Sequence, residues 1–309
     1  FLLSFNKTAT IPAFYFLQKY YHGKPQEIAT GLASTEHSVM CTNTAVDGNE
    51  RDMIIRLLTQ IYPNDNFSMV ADSYDYWNLV CNILREPDVK EAVLNHNGFI
   101  GIRGDSGDPV DIVAGKLHPD PNAESDLGTV EILWNIFGGT VNSKGYKVLN
   151  PHVKAVYGDG ITKERAEEIY RRLEAKGFAA NNVSLGMGAY SMQSADGNTP
   201  LTRDTYGIAV KSTFCRVDNQ NYDILKNPKT DTAEMKKSPK GMLFVYRDET
   251  HDNQIGYMEL SQLHKEKQYI PCLYNIMKPY YLPAVRDDIN TSNSLGAIRN
   301  RLHDGHFND

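Results

Sequence analysis

Between Gly98 and Val110 the chain reads Gly-Phe-Ile-Gly-Ile-Arg-Gly-Asp-Ser-Gly-Asp-Pro-Val, and no other stretch restricts the fold as tightly. A short β-rich segment, Gly98 to Ile102, delivers an arginine, an acid, a serine and a glycine onto a tight turn. A helix pattern begins after Pro109. In an α/β barrel the loops that follow the strands converge on one face, and the chemistry is kept there. Arginine at such a place offers a two-pronged fork for phosphate. A neighbouring carboxylate can hold a metal ion or a ribose hydroxyl. The combination suits a phosphorylated sugar better than a peptide or a lipid.

Three further segments repeat the theme. Val156-Tyr157-Gly158-Asp159-Gly160-Ile161 is an apolar strand followed by glycine, acid and glycine. Val183 to Ala189 ends in Gly186 and Gly188, which would let backbone N–H groups approach an anion closely. Phe67 to Asp75 is a strand ending in acids. Helix patterns separate the strands. Thr162 to Lys176 is the clearest, with Thr162 as cap, Ala166, Ile169, Tyr170 and Leu173 on one face, and Gly177 to end it. Asn49 to Tyr62 reads as a second amphipathic helix, with Met53, Ile54, Leu57, Leu58 and Ile61 on one face, and Pro12 to Tyr21 as a third. Strands are expected at Phe67–Ala71, Phe99–Ile102, Val153–Tyr157, Val183–Leu185 and Ile208–Phe214. This alternation predicts parallel β/α architecture, and the glycine-rich strand ends fit a barrel. His118 to Asp126, rich in proline and acid, is expected on the surface.

With 309 residues, the chain can bury a large core, and β/α barrels run to about 250 residues as one domain. The net charge of −6 excludes the basic face that nucleic acid demands. An anionic substrate must be gathered by local arginines and lysines. Cys41, Cys81, Cys215 and Cys272 form no C-x-x-C pair, so free thiols in a reducing cytoplasm are expected. No apolar run reaches the roughly 18 residues that span a bilayer. Phe1-Leu2-Leu3 lacks a preceding cationic stretch, and no signal peptide is expected.

Taken in order, these segments resemble the nicotinamide phosphoribosyltransferases of the wider nicotinate/quinolinate phosphoribosyltransferase group. The resemblance is carried by Glu36-His37-Ser38, Asp72-Ser73-Tyr74-Asp75, Arg103-Gly104-Asp105-Ser106-Gly107 and Asn142-Ser143-Lys144-Gly145-Tyr146-Lys147. It continues through Gly158-Asp159-Gly160, Gly186 with Gly188, and Leu201-Thr202-Arg203-Asp204, and runs to about Lys240. It implies a type II phosphoribosyltransferase-like β/α barrel with a small C-terminal β-rich extension. The implied reaction joins nicotinamide to 5-phosphoribosyl 1-diphosphate and yields nicotinamide mononucleotide and pyrophosphate. Arg103 would contact the nicotinamide ring, with Ser106 also on the substrate. Asp105 would act in catalysis and hold ribose and Mg2+, and Asp72 would hold Mg2+ and pyrophosphate. Gly158 and Asp159 would meet the ribose hydroxyls, Gly186 and Gly188 the 5′-phosphate, and Arg203 and Lys211 further phosphate oxygens. His37 lies where the family keeps a histidine that is phosphorylated in ATP-coupled turnover. The plainer alternatives are a structural Arg103–Asp105 pair, ordinary tight-turn glycines, a hydrogen-bonding histidine, and a solvated face for Lys229, Lys237 and Lys240.

The resemblance also sets expectations where the chain departs from it. Relatives that prefer nicotinamide carry Phe-x-Gly-Thr-Asp-Thr where this chain has Phe5-Asn6-Lys7-Thr8-Ala9-Thr10. Ala9 removes a carboxamide acceptor and leaves a nicotinate-preferring enzyme as a second reading. Restoring the acid with Ala9→Asp would favour nicotinamide. The family also carries a further N-terminal portion. A homodimer or a complementing N-terminal chain is therefore expected, with a partial, non-catalytic phosphoribosyl-binding barrel as a third reading. Residues 1–225 are assigned to the barrel and 226–309 to a mixed α/β region, where Met242–Tyr246 and Ile255–Leu260 should pair antiparallel.

Overall fold

The computed structural model describes residues 11–28, 32–188, 205, 211–232, 236–248, 254–259 and 270–271. The strands β1 (Ala33–Ser34), β2 (Phe67–Val70), β3 (Ile100–Gly104), β4 (Gly139–Val141), β5 (Lys147–Leu149), β6 (Val153–Tyr157) and β7 (Val183–Leu185) come first in the chain. Five of them form a parallel sheet in the order β1-β2-β3-β6-β7, while β4 and β5 make a separate antiparallel hairpin. Each new strand of the sheet is added to the same edge. A doubly wound sheet would reverse direction at a switch point. Steady one-way addition is the winding of a β/α barrel.

Helices fill the connections: α1 (Ile11–Tyr21), α2 (Pro25–Ile28), α3 (His37–Asp47), α4 (Glu50–Arg56), α5 (Tyr76–Cys81), α6 (Pro87–Asn95), α7 (Pro109–Ala114), α8 (Thr129–Phe137) and α9 (Lys163–Ala175). Every residue of β2 is buried, as is most of β3. Parallel strands covered on both faces carry continuous rather than alternating apolar side chains. Met69, Ile100, Ile102, Val130 and Ile169 are fully buried in this core.

Local sequence explains the helix ends nearest the site. Glu36 caps α3 by accepting from the N–H groups of Ser38 and Val39, and Gly48 ends it at φ +89°. Asp108 caps α7 by accepting from Val110 N–H and Asp111 N–H at 2.8 and 3.2 Å. Thr162 caps α9, and Gly177 follows it at φ +75°. Arg172 of α9 reaches Asp111 Oδ1 and Gly115 O, each at 2.7 Å, and ties α9 to α7. The helix expected over Asn49 to Tyr62 instead changes type. It is α-helical through Arg56 and becomes a π-turn over Leu57–Ile61, closed by Tyr62 N–H on Leu57 O at 2.9 Å. The wider turn keeps Leu57 and Leu58 in the core and leaves Ile61 exposed. The loop from His118 is largely exposed as expected, except that Asp126 is buried and paired with Lys116 at 2.8 Å.

After β7 come the hairpin strands β8 (Phe214–Val217) and β9 (Gln220–Asp223). The chain divides into compact units at Gly241 and Met242, later than the boundary expected near residue 225. The reason is that the intervening stretch is sewn onto the first unit. Asn227 N–H donates to Ser73 O at 2.9 Å, and Lys229 N–H to Tyr74 O at 2.7 Å. In the second unit, β10 (Leu243–Asp248) pairs antiparallel with β11 (Gln254–Glu259) and β12 (Ile270–Pro271). No helix among the described residues is long and apolar enough to cross a membrane.

Candidate active site

The C-terminal ends of the parallel strands bring the predicted residues together. β1 leads to His37, β2 to Asp72 and Ser73, β3 to Arg103, Asp105 and Ser106, and β6 to Gly158 and Asp159. His37 Nε2 lies 3.7 Å from Asp72 Oδ1 and 3.9 Å from Asp105 Oδ2. Its Nδ1 shares a hydrogen bond with Ser73 Oγ at 3.2 Å. Arg103 and Asp105 do form a pair, Nε to Oδ2 at 3.2 Å, and the pair sits inside the cluster. Arg103 also donates to Ser34 Oγ at 2.7 Å and to Thr35 O at 3.1 Å, which holds its guanidinium flat against the end of β1.

Two predicted residues are also engaged within the protein. Ser106 is buried, and its hydroxyl is committed to Asp72 Oδ2 at 2.6 Å and to Thr230. It positions Asp72. Gly186 spends its N–H on Tyr157 O at 2.7 Å, so that donor is not available to a phosphate. Its service is close approach, since a Cβ there would lie 3.1 Å from Gly158 Cα. Gly188 is exposed with open space around it. Lys211 is near enough to act on the charge of His37. Arg203 and Ala9 lie outside the described residues.

Several contributors escape sequence reasoning. Lys226 is buried, and Lys236 donates to Asp159 Oδ2 at 2.5 Å and to the backbone carbonyl of Asp105. Both belong to a run that reads as a solvated face. One signal was available for Lys226: in an extended segment it shares a face with Ile224, which is also buried. Lys229 instead pairs with Asp75 at 2.6 Å, the cap of α5.

The electrostatics follow from burial amid mixed charge. Burial, with the cations Lys226, Arg103, Lys211 and Lys236, lowers His37 to about 3. At neutral pH the ring is uncharged, and its contacts with the aspartates are not ion pairs. Burial raises Asp105; Arg103 opposes the shift, and the charges of Asp72 and Asp159 add to it. Burial lowers Lys226 to about 8 despite the pull of Asp72. Buried acids ringed by cations can receive a phosphorylated ligand together with a metal ion. Asp72 Oδ1 is buried without a hydrogen-bond partner among the described residues.

The model of the nicotinate phosphoribosyltransferase (NAPRTase) family matches residues 5–269. A nicotinamide phosphoribosyltransferase from Acinetobacter baylyi is 38% identical over 256 residues, covering 80% of this chain and 48% of that protein. One from Mycoplasma pneumoniae is 40% identical over 208 residues, covering 67% of this chain and 43% of that protein. The chain spans about half the length of the curated relatives it matches.

Proposed function

The chain belongs to the nicotinate phosphoribosyltransferase family, and from that premise we propose that it transfers the 5-phosphoribosyl group of 5-phosphoribosyl 1-diphosphate to nicotinamide. Nicotinamide mononucleotide and pyrophosphate would be the products, a step of NAD salvage. One observation carries the reading: His37, Asp72, Arg103, Asp105 and the Asp159–Lys236 pair meet at the strand ends. The choice of nicotinamide over nicotinate is supported by the names of the relatives.

In this reaction the pyridine nitrogen attacks C1′ of the ribose, and the bond from C1′ to the diphosphate oxygen breaks. No covalent nucleophile from the protein is needed. Arg103, held flat by Ser34 and Thr35, orients the base. The Asp105 carboxylate faces the positive charge that develops on the ribose, and Asp159 takes the ribose hydroxyls. Lys226, Lys236, Lys211 and Arg203 gather the phosphates. Asp72 and Asp105 fit Mg2+, because Asp72 Oδ1 is a buried oxygen with no hydrogen-bond partner among the described residues and Mg2+ takes one or two carboxylates beside substrate phosphates. When bound, the ion neutralises the departing diphosphate. His37, uncharged at neutral pH, has a lone pair to accept a phosphoryl group from ATP. We place the activity in the cytoplasm, with Cys41, Cys81 and Cys215 as free thiols. We propose a homodimer, which sedimentation tests.

The test is mononucleotide formation from nicotinamide, 5-phosphoribosyl 1-diphosphate and Mg2+, with and without ATP, and with nicotinate as competitor. Absence of any mononucleotide from the assembled protein would refute the reading. Two dependent results are expected. Lys226 carries its charge below about 8, so diphosphate affinity should fall as pH rises through about 8. A pH profile of KM that is flat across that range, or that Lys226→Met does not change, would argue against it. In Gly158→Ala a Cβ would lie 3.0 Å from Asp105 Oδ1 and push the carboxylate aside. A displacement of about 1 Å can cost 100-fold, so a smaller shift should lower kcat/KM by about 10-fold.

A further inference from the structure

Asp72 is fully buried, with Oδ2 bound to Ser106 Oγ at 2.6 Å and Oδ1 facing His37 Nε2 at 3.7 Å. Among the described residues, none donates a hydrogen bond to Oδ1. Asp105 Oδ2 approaches the same ring nitrogen at 3.9 Å, and one atom from each of the three side chains lies within 4.8 Å of the others. Ligands around an ion with bonds of about 2.1 Å sit roughly 3–3.5 Å apart, so the two nitrogen–oxygen separations need to contract by about half an ångström and the oxygen–oxygen separation by up to about 1.5 Å. The other face of the ring completes the pattern. Metal-bound histidines donate a hydrogen bond from the N–H of their second nitrogen to a neighbouring acceptor. His37 Nδ1 meets Ser73 Oγ at 3.2 Å, and the main chain of Ser73 is itself fixed by Asn227 N–H at 2.9 Å. With the proton on Nδ1, the lone pair is on Nε2, the nitrogen that lies 3.7 and 3.9 Å from the two carboxylates. Arg103 already uses one lone pair of Asp105 Oδ2, and a second remains for an ion.

We infer that His37, Asp72 and Asp105 form a one-nitrogen, two-oxygen site for a borderline divalent cation of the Zn2+ or Co2+ class, bound through His37 Nε2. Imidazole suits these ions, whereas Mg2+ prefers oxygen alone. The two aspartates therefore serve either metal, and the histidine separates the classes. In this tautomer the ring has a single lone pair. An ion bound there excludes a phosphoryl group from His37, a consequence for turnover that rests on the proposed reaction.

Co2+ alone is the probe, added to the intact, metal-stripped chain without Mg2+ or substrate. Coordination through Nε2 should give one far-shifted exchangeable proton resonance, the Nδ1–H, that rises with stoichiometric Co2+ and vanishes in D2O. His37→Gln should abolish that signal. Ser73→Ala should weaken Co2+ binding by about 10-fold, the scale for removing an outer partner of a ligand. Zn2+ should displace Co2+ at equimolar concentration, and Mg2+ only in large excess. Saturable Co2+ binding without the resonance, no saturable binding, or a resonance that persists in His37→Gln would overturn the site. Because the signal is read on the unaltered chain, a poorly folded variant does not decide the matter. Mononucleotide formation in Mg2+ tests the proposed reaction separately, so the two failures are distinguishable.

Discussion

Asp105→Asn is expected to lower phosphoribosyl transfer by about 10²–10³-fold, the scale for deleting one preorganised electrostatic group, while leaving stability unchanged or higher. The two halves have one cause. Asp105 is half-buried, and that burial, with the charges of Asp72 and Asp159, holds its folded pKa above the ordinary carboxylate value. A group raised in this way contributes stability that is fully present below its unfolded pKa and lost as pH rises through its folded pKa. At neutral pH the ionised carboxylate is therefore a burden on the fold, held there for the ligand. Asparagine keeps the size and removes the charge. The Arg103 Nε contact at 3.2 Å survives as a hydrogen bond from the guanidinium to a neutral amide oxygen. Urea unfolding and transfer rates on the same preparation check the result. A stability loss that parallels the activity loss would show that Asp105 is structural.

The strand ends were legible because chemistry and backbone demand the same residues there. A glycine permits close approach, an acid or arginine follows, and a helix cap closes the turn. Gly158 illustrates it, since a Cβ would strike Asp105. The barrel-type winding was legible for a similar reason, as apolar runs and capped helices alternate with clear ends. What escaped was long-range return. Lys226 and Lys236 reach the site because the chain after β9 pairs with the backbone of Ser73 and Tyr74, far back in the sequence. Nothing local marks a lysine as buried rather than solvated, apart from the shared face with Ile224. The hold of Ser106 on Asp72 escaped for a different reason, because a motif position does not say that the turn aims the hydroxyl inward. The π-turn after Arg56 escaped because a helical apolar pattern does not distinguish one extra residue in a turn.

Phe67→Ala should lose about 3–5 kcal/mol of stability, the range for truncating a buried phenylalanine, with transfer per folded molecule retained. Phe67 opens β2 and is fully buried. Its ring stacks on Tyr62 at 4.8 Å and meets the edge of His96 at 5.7 Å. His96 Nε2 is in turn bonded to Tyr62 O at 2.6 Å, so the partners are pinned and cannot collapse into the space left behind. The cost should therefore lie toward the top of the range. Asp72 follows the opposite end of the same strand, where the register of β2 on β3 holds from Phe67–Ile100 to Val70–Arg103. A cavity at the first end leaves that ladder intact. Urea denaturation reads the stability change, and kcat measured well below the midpoint reads the site. A loss under about 1.5 kcal/mol would mean that the end of β2 relaxes, contrary to the pinned ring cluster. A fall in kcat in the still-folded variant would mean that the core end of the strand sets the position of Asp72.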